Sequence, residues 1–296
     1  MPAQSHNKSK SRAHNKPTDS ARAQRKQAAA TTMRLLENPP TDALAASIND
    51  SRSGTTAFLP ADPLPILPIS SRRTANTVFY TNQTDTLAAV LHLEQLPSPP
   101  RSIAALNFAS AKHKGGGWLN GAQAQEESIT RRSTLFAALD SDGAAPYYNH
   151  NARHIRHVAK ENDGVYTHAL IHSPAVAILQ PDEDSLAVDP DPTLVSVITC
   201  AAPNAGQALK MGVARGRVEA AFAERIDRVL AAAAAHSHDG LVLGAWGCGV
   251  FGNDPGFVAG TFKRLLAGKY KGSFSHVSFP LRDDDNKEPF LRALGT

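Results

Sequence analysis

Cysteine and long apolar segments are the two features that this sequence largely lacks. It has two cysteines in 296 residues, which excludes the disulfide-dense scaffold of a small secreted protein and is typical of an intracellular one. No run approaches the roughly 18 consecutive apolar residues of a membrane-spanning helix, so we expect no membrane partner. The hydrophobic content of 42% is enough for one large core with appendages.

Positive charge is concentrated at the N-terminus, where Lys and Arg greatly outnumber acidic residues between positions 1 and 26. Residues 1–18 have no apolar stretch of the kind found in secretory signals, and we expect a disordered basic tail there. Such a tail can be a targeting segment or a nucleic-acid patch, and the alternative is a solvated tail without a dedicated partner. The compartment that we expect is intracellular, either nuclear or cytoplasmic.

Helical and extended patterns alternate along the rest of the chain. A proline-rich connection separates an N-terminal helical extension, residues 19–70, from a second region, residues 71–296. Alternation of this kind predicts α/β layers around a mixed central sheet, with ligand loops at strand ends. Helices are predicted at 19–36, 40–48, 84–93, 121–140 and 206–235, and strands at 77–81, 103–108, 167–172, 175–179, 195–199 and 240–244.

A glycine triplet followed by two adjacent carboxylates is the most informative motif. Glycine lets main-chain N–H groups converge on phosphate oxygens, and carboxylic acids break glycosidic bonds, so the pair indicates a nucleotide-sugar substrate. The alternative is a flexible loop followed by a solvated helix face. The motif consists of Gly115-Gly116-Gly117 and, eight residues after the triplet, Gln125-Glu126-Glu127.

A second glycine-rich loop lies between residues 244 and 253, after an apolar run. Asp254 and Pro255 then open a helical pattern, which is the strand, loop, helix order of a phosphate-binding turn. The loop is neither a dinucleotide fingerprint nor a Walker loop, because its glycine spacing differs from both. We expect Phe251 to be an exposed aromatic within it, the alternative being a ring in the core. Cys248 is expected to be a small buried hydrophobe, with thiolate catalysis as the alternative.

The periodicity of residues 121–140 predicts one helix with a core stripe formed by the apolar residues between 129 and 139. Glu126 and Glu127 lie off this stripe, so we expect them to emerge towards the glycine loop and away from the core. Arg131 and Arg132 are expected on a solvated face, paired along the helix.

These motifs together closely resemble the poly(ADP-ribose) glycohydrolases of the compact microbial type. The resemblance covers residues 75–282 and does not extend to residues 1–40. It implies that residues 71–296 form a catalytic domain of macrodomain-like fold, with three α/β/α layers, a mixed central sheet and an N-terminal helical extension. The segments that carry it are 106–110, Lys114 to Gly117, Ala122 to Ser128 and Gly247 to Asn253.

The resemblance also implies a role for each motif residue. Glu127 corresponds to the catalytic acid, Glu126 to the neighbour that holds ribose hydroxyls, and Phe251 to the ring that fixes the scissile ribose. The two glycine loops then bind the diphosphate from two sides, and Asn107 is expected near the ribose. The adenine is expected near Asn107, Phe108 or the loop at residues 199–204. Besides the catalytic Glu127 and Glu126, the predicted substrate-binding residues are Asn107, Gly115, Gly116, Gly117, Gln125, Gly247, Cys248, Gly249, Val250, Phe251, Gly252 and Asn253.

The position of Glu127 near a helix start introduces a difficulty, because the helix dipole disfavours the protonated form that a general acid requires. A neighbouring carboxylate and the substrate diphosphate both favour that protonated form. We therefore expect Glu127 to be a competent acid mainly when substrate is bound.

No cofactor and no metal are expected. His150, His154 and His157 have helical spacing, but no cysteine or carboxylate nearby completes a ligand set. We assign them to surface or capping roles.

The expected activity is hydrolysis of ribose–ribose bonds in poly(ADP-ribose), mainly from chain ends, by a monomer that also meets ADP-ribosylated proteins. Three alternatives stay open: a hydrolase of single ADP-ribose units on proteins or nucleic acids, a non-catalytic ADP-ribose reader, and a basic nucleic-acid binder. The carboxylate pair argues against the reader.

Overall fold

The architecture is a seven-stranded mixed sheet between layers of helices. The computed structural model describes residues 19–64, 76–158, 163–180, 191–282 and 286–295. The predicted basic tail and the predicted boundary at residues 70 and 71 lie outside these ranges. The described strands are β1 Thr56–Phe58, β2 Val78–Tyr80, β3 Ile103–Phe108, β4 Leu170–Ala177, β5 Leu194–Cys200, β6 Gly240–Val242 and β7 His276–Ser278.

Ten α-helices belong to the described part of the chain. None of them combines the length and the apolar content needed to cross a bilayer. They are α1 Asp19–Glu37, α2 Asp42–Gly54, α3 Thr86–Glu94, α4 Gln125–Arg131, α5 Leu135–Leu139, α6 Ala145–Arg153, α7 Ala205–Lys210, α8 Arg215–Ala235, α9 Pro255–Ala267 and α10 Lys287–Leu294, with a 3-10 turn at Trp118–Asn120 and a π-helical segment at His154–Val158.

The strand order is β1-β4-β5-β3-β6-β7-β2. The pairs β1/β4 and β4/β5 are antiparallel, whereas β5/β3, β3/β6, β6/β7 and β7/β2 are parallel. Central β3 shows how the layers form, because successive side chains of a strand point to opposite faces. Ala104 and Leu106 join a core with α8, α9 and α10, whereas Ile103 and Ala105 join a core with α3 and α5. The predicted α/β architecture is confirmed.

The predicted helix 121–140 is wrong as a single element, because it divides into α4 and α5. The intervening segment pairs with the end of β4: Ser133 forms a bridge with Ile178, and the Thr134 N–H donates to the Ala177 carbonyl at 2.9 Å. Sheet pairing uses the backbone groups that would otherwise have continued the helix.

Two other predicted elements also differ from the structure. The helix expected at 206–235 is interrupted after α7, where Gly212 adopts a left-handed φ of 79°. The strands expected at 167–172 and 175–179 form one strand, β4, with a register shift between Ser173 and Val176 and a positive φ at Ala175. The irregularity at Ala175 accounts for the apparent break in the apolar pattern.

The N-terminal helices α1 and α2 pack on α5 and the end of β4. Leu36 of α1 and Leu44 and Ile48 of α2 share a buried cluster with Ala137 and Leu179. α2 begins at the cap residue Thr41, whose hydroxyl accepts the Leu44 N–H. The predicted helical extension is therefore fixed to the rest of the fold by a small core of its own.

Candidate functional site

The two glycine-rich loops leave neighbouring parallel strands. The first loop, residues 109–124, follows β3, and the second, residues 243–254, follows β6. The carboxyl ends of parallel strands form one edge of a sheet, and ligands of open α/β sheets bind at that edge. The sheet topology therefore places both predicted loops at the usual position of a ligand site.

Glycine is required at two positions of the triplet in the first loop. Gly115 and Gly116 have φ angles of 69° and 63°, a region that residues with a Cβ adopt only with strain. A Cβ on Gly116 would collide with Oε1 of Glu127, and one on Gly115 would lie 2.8 Å from Cγ2 of Thr130. The loop backbone therefore packs directly against the carboxylate helix α4.

Glu127 lies at the mouth of this loop. Its side chain is half-buried, and Oε1 accepts the backbone N–H of Gly117 at 2.9 Å. One carboxylate oxygen is thus fixed by the glycine triplet. The predicted proximity of the triplet and the acid is confirmed by this geometry, whereas the catalytic role of Glu127 stays a prediction.

Glu126 is buried, with 4% of its surface exposed, so the expectation that it emerges away from the core is wrong. Oε2 accepts the Ser110 N–H at 2.7 Å, and Oε1 accepts the Asn107 amide at 3.3 Å. Burial raises the pKa of Glu126 to about 8, and the nearby Glu127 adds to this, although hydrogen bonds from Ser110 and Asn107 oppose it. Its carboxyl group is therefore mainly protonated at neutral pH.

The side chains of Asn107 and Gln125 make internal hydrogen bonds. Asn107 is fully buried, and its amide also donates to the Thr199 hydroxyl at 3.2 Å. The Gln125 oxygen accepts the Phe108 N–H at 2.8 Å, and its amide donates to the Leu106 carbonyl at 2.7 Å. Both side chains therefore fix α4 to the end of β3, and direct contact of either with substrate stays a prediction.

The second loop is held by Asn253. Its amide donates to the carbonyls of Pro203 and Gly247 at 2.7 and 2.9 Å. Gly247 has a φ of 71°, and a Cβ there would lie 2.6 Å from Cβ of Ala202. The loop is thus anchored against the end of β5, and the predicted helix start is confirmed because Asp254 caps α9 by accepting the Phe257 N–H at 2.6 Å.

The tip of the second loop is accessible. Val250 is 92% exposed, whereas the Phe251 ring is half-buried, with its centroid 6.3 Å from that of Tyr166. Cys248 is buried, and its thiol donates to the Trp246 carbonyl. The ring of Phe251 is therefore intermediate between the exposed and core positions that the sequence allowed, and Tyr166 is a neighbour that the sequence did not indicate.

A cleft of about 310 Å³ lies beside the second loop, and the first loop contributes only its last residue, Ala124, to the lining, which includes neither Glu126 nor Glu127. It is bounded on one side by the start of α3 and of α4, and on the other by the second loop and the segment after β7. Its volume is at the lower end of the range for small-molecule sites. The lining residues used below are Phe108, Gln125, Gly247, Phe251, Arg282 and Asn286.

Arg131 and Arg132 are buried, so the predicted solvated face is wrong. Arg132 Nη1 forms an ion pair with Asp85 at 2.8 Å, and Nε donates to the Gln180 carbonyl at 3.1 Å. Arg131 Nη1 donates to the Ala122 carbonyl at 2.7 Å. The two guanidinium groups therefore stabilise the break after α4 and the loop before it.

His150, His154 and His157, the histidines with helical spacing, are not assigned to a metal site. Among the residues that the structure describes, no group of three potential metal ligands is brought together.

Three other histidines are in contact outside the cleft. Nε2 of His172 lies 3.0 Å from Nε2 of His238, and the His172 ring stacks on that of His236. Burial, followed by the neighbouring His236 and His238, lowers the pKa of His172 to about 3.

Each loop also contains one buried tryptophan. Trp118 directly follows the glycine triplet and packs on Phe136 with ring centroids 5.1 Å apart. Trp246 directly precedes Gly247 and meets Phe222 edge to face at 4.9 Å. These rings anchor the two loops in separate parts of the core.

The chain matches the family model of the microbial-type PARG catalytic domain over residues 22–181. This range includes most of α1 and all of α2, which the resemblance in sequence did not cover. A comparison with curated proteins found no match.

Three solved structures illustrate the similarity. The poly(ADP-ribose) glycohydrolase of Deinococcus radiodurans in complex with ADP-ribose is 39% identical, with a TM-score of 0.69, over 83% of this chain and 95% of that one. The enzyme of Thermomonospora curvata is 34% identical, with a TM-score of 0.78, over 92% and 99%. The structure of that enzyme bound to the inhibitor ADP-HPD is also 34% identical, with a TM-score of 0.74, over 91% of this chain and 99% of that one. The chain belongs to the microbial-type poly(ADP-ribose) glycohydrolase family.

Proposed function

We propose that this protein hydrolyses the ribose–ribose O-glycosidic bonds of poly(ADP-ribose) and releases ADP-ribose. The observation that carries the proposal is the position of the Glu127 carboxylate, held by the Gly117 N–H beside the buried Glu126. Family membership and the ADP-ribose bound to the similar Deinococcus enzyme support the choice of substrate.

In the proposed reaction, Glu127 donates a proton to the departing ribose oxygen as the bond to the anomeric carbon breaks. The anomeric centre becomes oxocarbenium-like, and the diphosphate held between the glycine loops stabilises its positive charge. Glu127 then accepts a proton from the attacking water. The products are ADP-ribose and a polymer shortened by one unit, which carries a free hydroxyl at the former bond.

Glu126 has a separate role in this proposal. Since burial raises the pKa of its carboxyl group to about 8, the group is mostly neutral at pH 7 and can donate a hydrogen bond to a ribose hydroxyl. Its neutrality also leaves the diphosphate as the main negative charge near Glu127. Phe251 would hold the same ribose from the second loop.

We further propose that the enzyme cuts mainly from chain ends. Arg282 and Asn286, on the segment after β7, line the same cleft as Phe108 and Phe251. They would limit the space for a polymer that extends beyond the bound unit. The product sizes test this: end cutting gives ADP-ribose from the start of the reaction, whereas internal cutting gives oligomers first.

The test of the activity compares wild type with Glu127→Gln on purified poly(ADP-ribose), with a mono-ADP-ribosylated protein as a parallel substrate. We expect release of ADP-ribose from polymer by wild type, loss of turnover by at least about 100-fold in the variant, and retained ADP-ribose binding in both. Binding without release by wild type would instead favour a reader. Release from the mono-modified protein alone would favour the single-unit hydrolase.

The proposed partners are poly(ADP-ribose), ADP-ribose and ADP-ribosylated proteins, and the proposed state is a monomer. For the basic tail, residues 1–18, we propose a targeting role or polymer recruitment. Removing it should leave turnover of free polymer unchanged if the tail only directs localisation, and should raise KM if it recruits the polyanion.

A further inference from the structure

We propose that Arg22 and Arg25 of α1 are positioning residues that hold the backbone on which the Glu127 carboxylate depends. The inference rests on the proposed function, since it takes Glu127 as the reacting acid. The N-terminal helix α1, which lies outside the motif, thereby contributes to the geometry of the site.

The two arginines bind the end of the 3-10 turn in the first loop. Nε of Arg22 donates to the Asn120 carbonyl at 3.0 Å, and Nε of Arg25 donates to the Gly121 carbonyl at 2.9 Å. Carbonyls at the end of a helical turn have no partner within it, and arginine side chains can satisfy them. Because Arg22 and Arg25 are three residues apart, they lie on the same face of α1.

The contact between α1 and the loop is closely packed. Gly121 has a φ of 71°, and a Cβ at this position would lie 2.6 Å from the backbone oxygen of Arg22 and 3.0 Å from its Cγ. Glycine is therefore the residue that permits this approach. The arginines are not extended across open solvent to reach the loop, because the helix backbone itself lies against it.

A short series of hydrogen bonds connects this contact to the acid. The N–H groups of Asn120 and Ala122 both donate to the Gly117 carbonyl, at 3.0 and 3.3 Å. The N–H of the same Gly117 donates to Oε1 of Glu127 at 2.9 Å. Displacement of residues 120 and 121 would therefore move the Gly117 peptide and the carboxylate that it binds.

α1 also holds the other end of the segment that carries the acid. The Thr32 hydroxyl donates to the carbonyl of Arg131 at the end of α4, and the Arg131 side chain returns to the Ala122 carbonyl at 2.7 Å. Thr32 is seven residues after Arg25, so it lies on the same face of the helix. Residues 120–131 are thus fixed to one rigid element at both ends.

The arginine contacts differ from the contacts that attach α1 to the core. Ala29 and Leu36 are buried, whereas Arg22 is exposed and Arg25 is half-buried. The Arg22 bond is exposed and the Arg25 bond is partly buried, and hydrogen bonds that water can replace contribute less to stability than the buried apolar contacts of α1. Removing the two guanidinium groups should leave α1 in place and loosen the loop. The proposed effect is thus on the geometry of the acid and not on folding.

The experiment compares wild type, the double variant Arg22→Ala/Arg25→Ala, the conservative Arg22→Lys/Arg25→Lys, and Arg34→Ala as a control. Arg34 is an exposed arginine of the same helix, and its Nη2 donates to the Thr31 hydroxyl at 3.1 Å. The readouts are kcat and KM on poly(ADP-ribose), the melting temperature, and hydrogen exchange of the backbone amides in peptides that cover residues 115–127.

For the double alanine variant we expect kcat to fall roughly 10- to 100-fold, since misplacement of a catalytic group by about 1 Å has this effect. KM should change less than about twofold, because uniform binding of the substrate is not removed. The lysine variant should recover part of kcat, and Arg34→Ala should match wild type. Exchange in residues 115–127 should be faster in the alanine variant alone.

A kcat of the alanine variant within twofold of wild type would overturn the inference. A raised KM with unchanged kcat would overturn it as well, since it would make the arginines substrate ligands. A loss of kcat that follows the melting temperature and is not recovered by lysine would also overturn it. If wild type releases no ADP-ribose, the proposed function fails, and the exchange measurement still decides the positioning role: unchanged exchange in the variant overturns it and faster exchange supports it.

Discussion

Replacing Glu126 by glutamine should change how stability depends on pH. In the folded protein burial holds the pKa of this carboxyl group at about 8, against its ordinary value of 4.5. Between these two pH values the folded state keeps a proton that the unfolded state has lost. The unfolding free energy must therefore fall as pH rises through this window, and the stabilisation is fully present only below pH 4.5.

The size of the effect follows from the same two values. A difference of one unit between the folded and unfolded pKa values corresponds to about 1.4 kcal/mol of unfolding free energy. The whole difference between 4.5 and about 8 therefore corresponds to about 5 kcal/mol as an upper limit. Glu126 is 4% exposed, so solvent screening reduces this value little. Glutamine has a similar shape and does not ionise. The variant should therefore lack this component of the pH dependence.

The assay is urea unfolding of wild type and Glu126→Gln at several pH values from 5 to 9. Relative to the variant, wild type should lose several kcal/mol of unfolding free energy across this range, most of it before pH 8. Glu94→Gln, at an exposed glutamate at the end of α3, is the matched control. Parallel profiles for wild type and Glu126→Gln would refute the reasoning, since they would mean that Glu126 ionises alike in both states.

Three further changes test other contacts. Gly116→Ala should reduce kcat by about 100-fold, because its Cβ would collide with Oε1 of Glu127. Gly216→Ala, at an exposed position of α8 where a Cβ meets no described atom within 4 Å, should stay near wild type in the same assay. Arg132→Met should lower the unfolding free energy in urea by about 2–3 kcal/mol, because it removes charged hydrogen bonds of a buried guanidinium; an unchanged midpoint would contradict this. His172→Gln should flatten the acid limb of the stability profile. The folded pKa of His172 is lowered to about 3, so its contribution is present above pH 6.5 and is lost as pH falls towards 3; an acid limb as steep as that of wild type would contradict the assignment.

The central part of the fold could be predicted because its signals are local. Residues 103–106 are continuously apolar and lie in β3, and the cap residue Asp254 with Pro255 marked the start of α9. The helix at 121–140 could not be predicted correctly, since pairing of Ser133 and Thr134 with the end of β4 depends on residues more than forty positions away. In that segment tertiary hydrogen bonds took precedence over helical periodicity.

The candidate site, like the fold, was predicted only where its contacts are local in sequence. The motif predicted the proximity of the glycine triplet and Glu127, because both lie within one loop and the helix that follows it. It could not predict the burial of Glu126, since the groups that surround it, such as Asn107 and Ser110, come from β3 and its loop. The contacts of Arg22 with the first loop span 98 residues, and a run of basic residues gives no indication of them.

The two tryptophans allow each glycine loop to be followed by intrinsic fluorescence. The chain has two, and each is adjacent to one of the glycine loops: Trp118 follows Gly117, and Trp246 precedes Gly247. Both indoles are buried against different aromatic neighbours, so each reports on its own surroundings. With either tryptophan replaced by phenylalanine, a change of intrinsic fluorescence on adding ADP-ribose can be assigned to one loop, without any label. The order in which the two loops respond can then be timed by stopped flow.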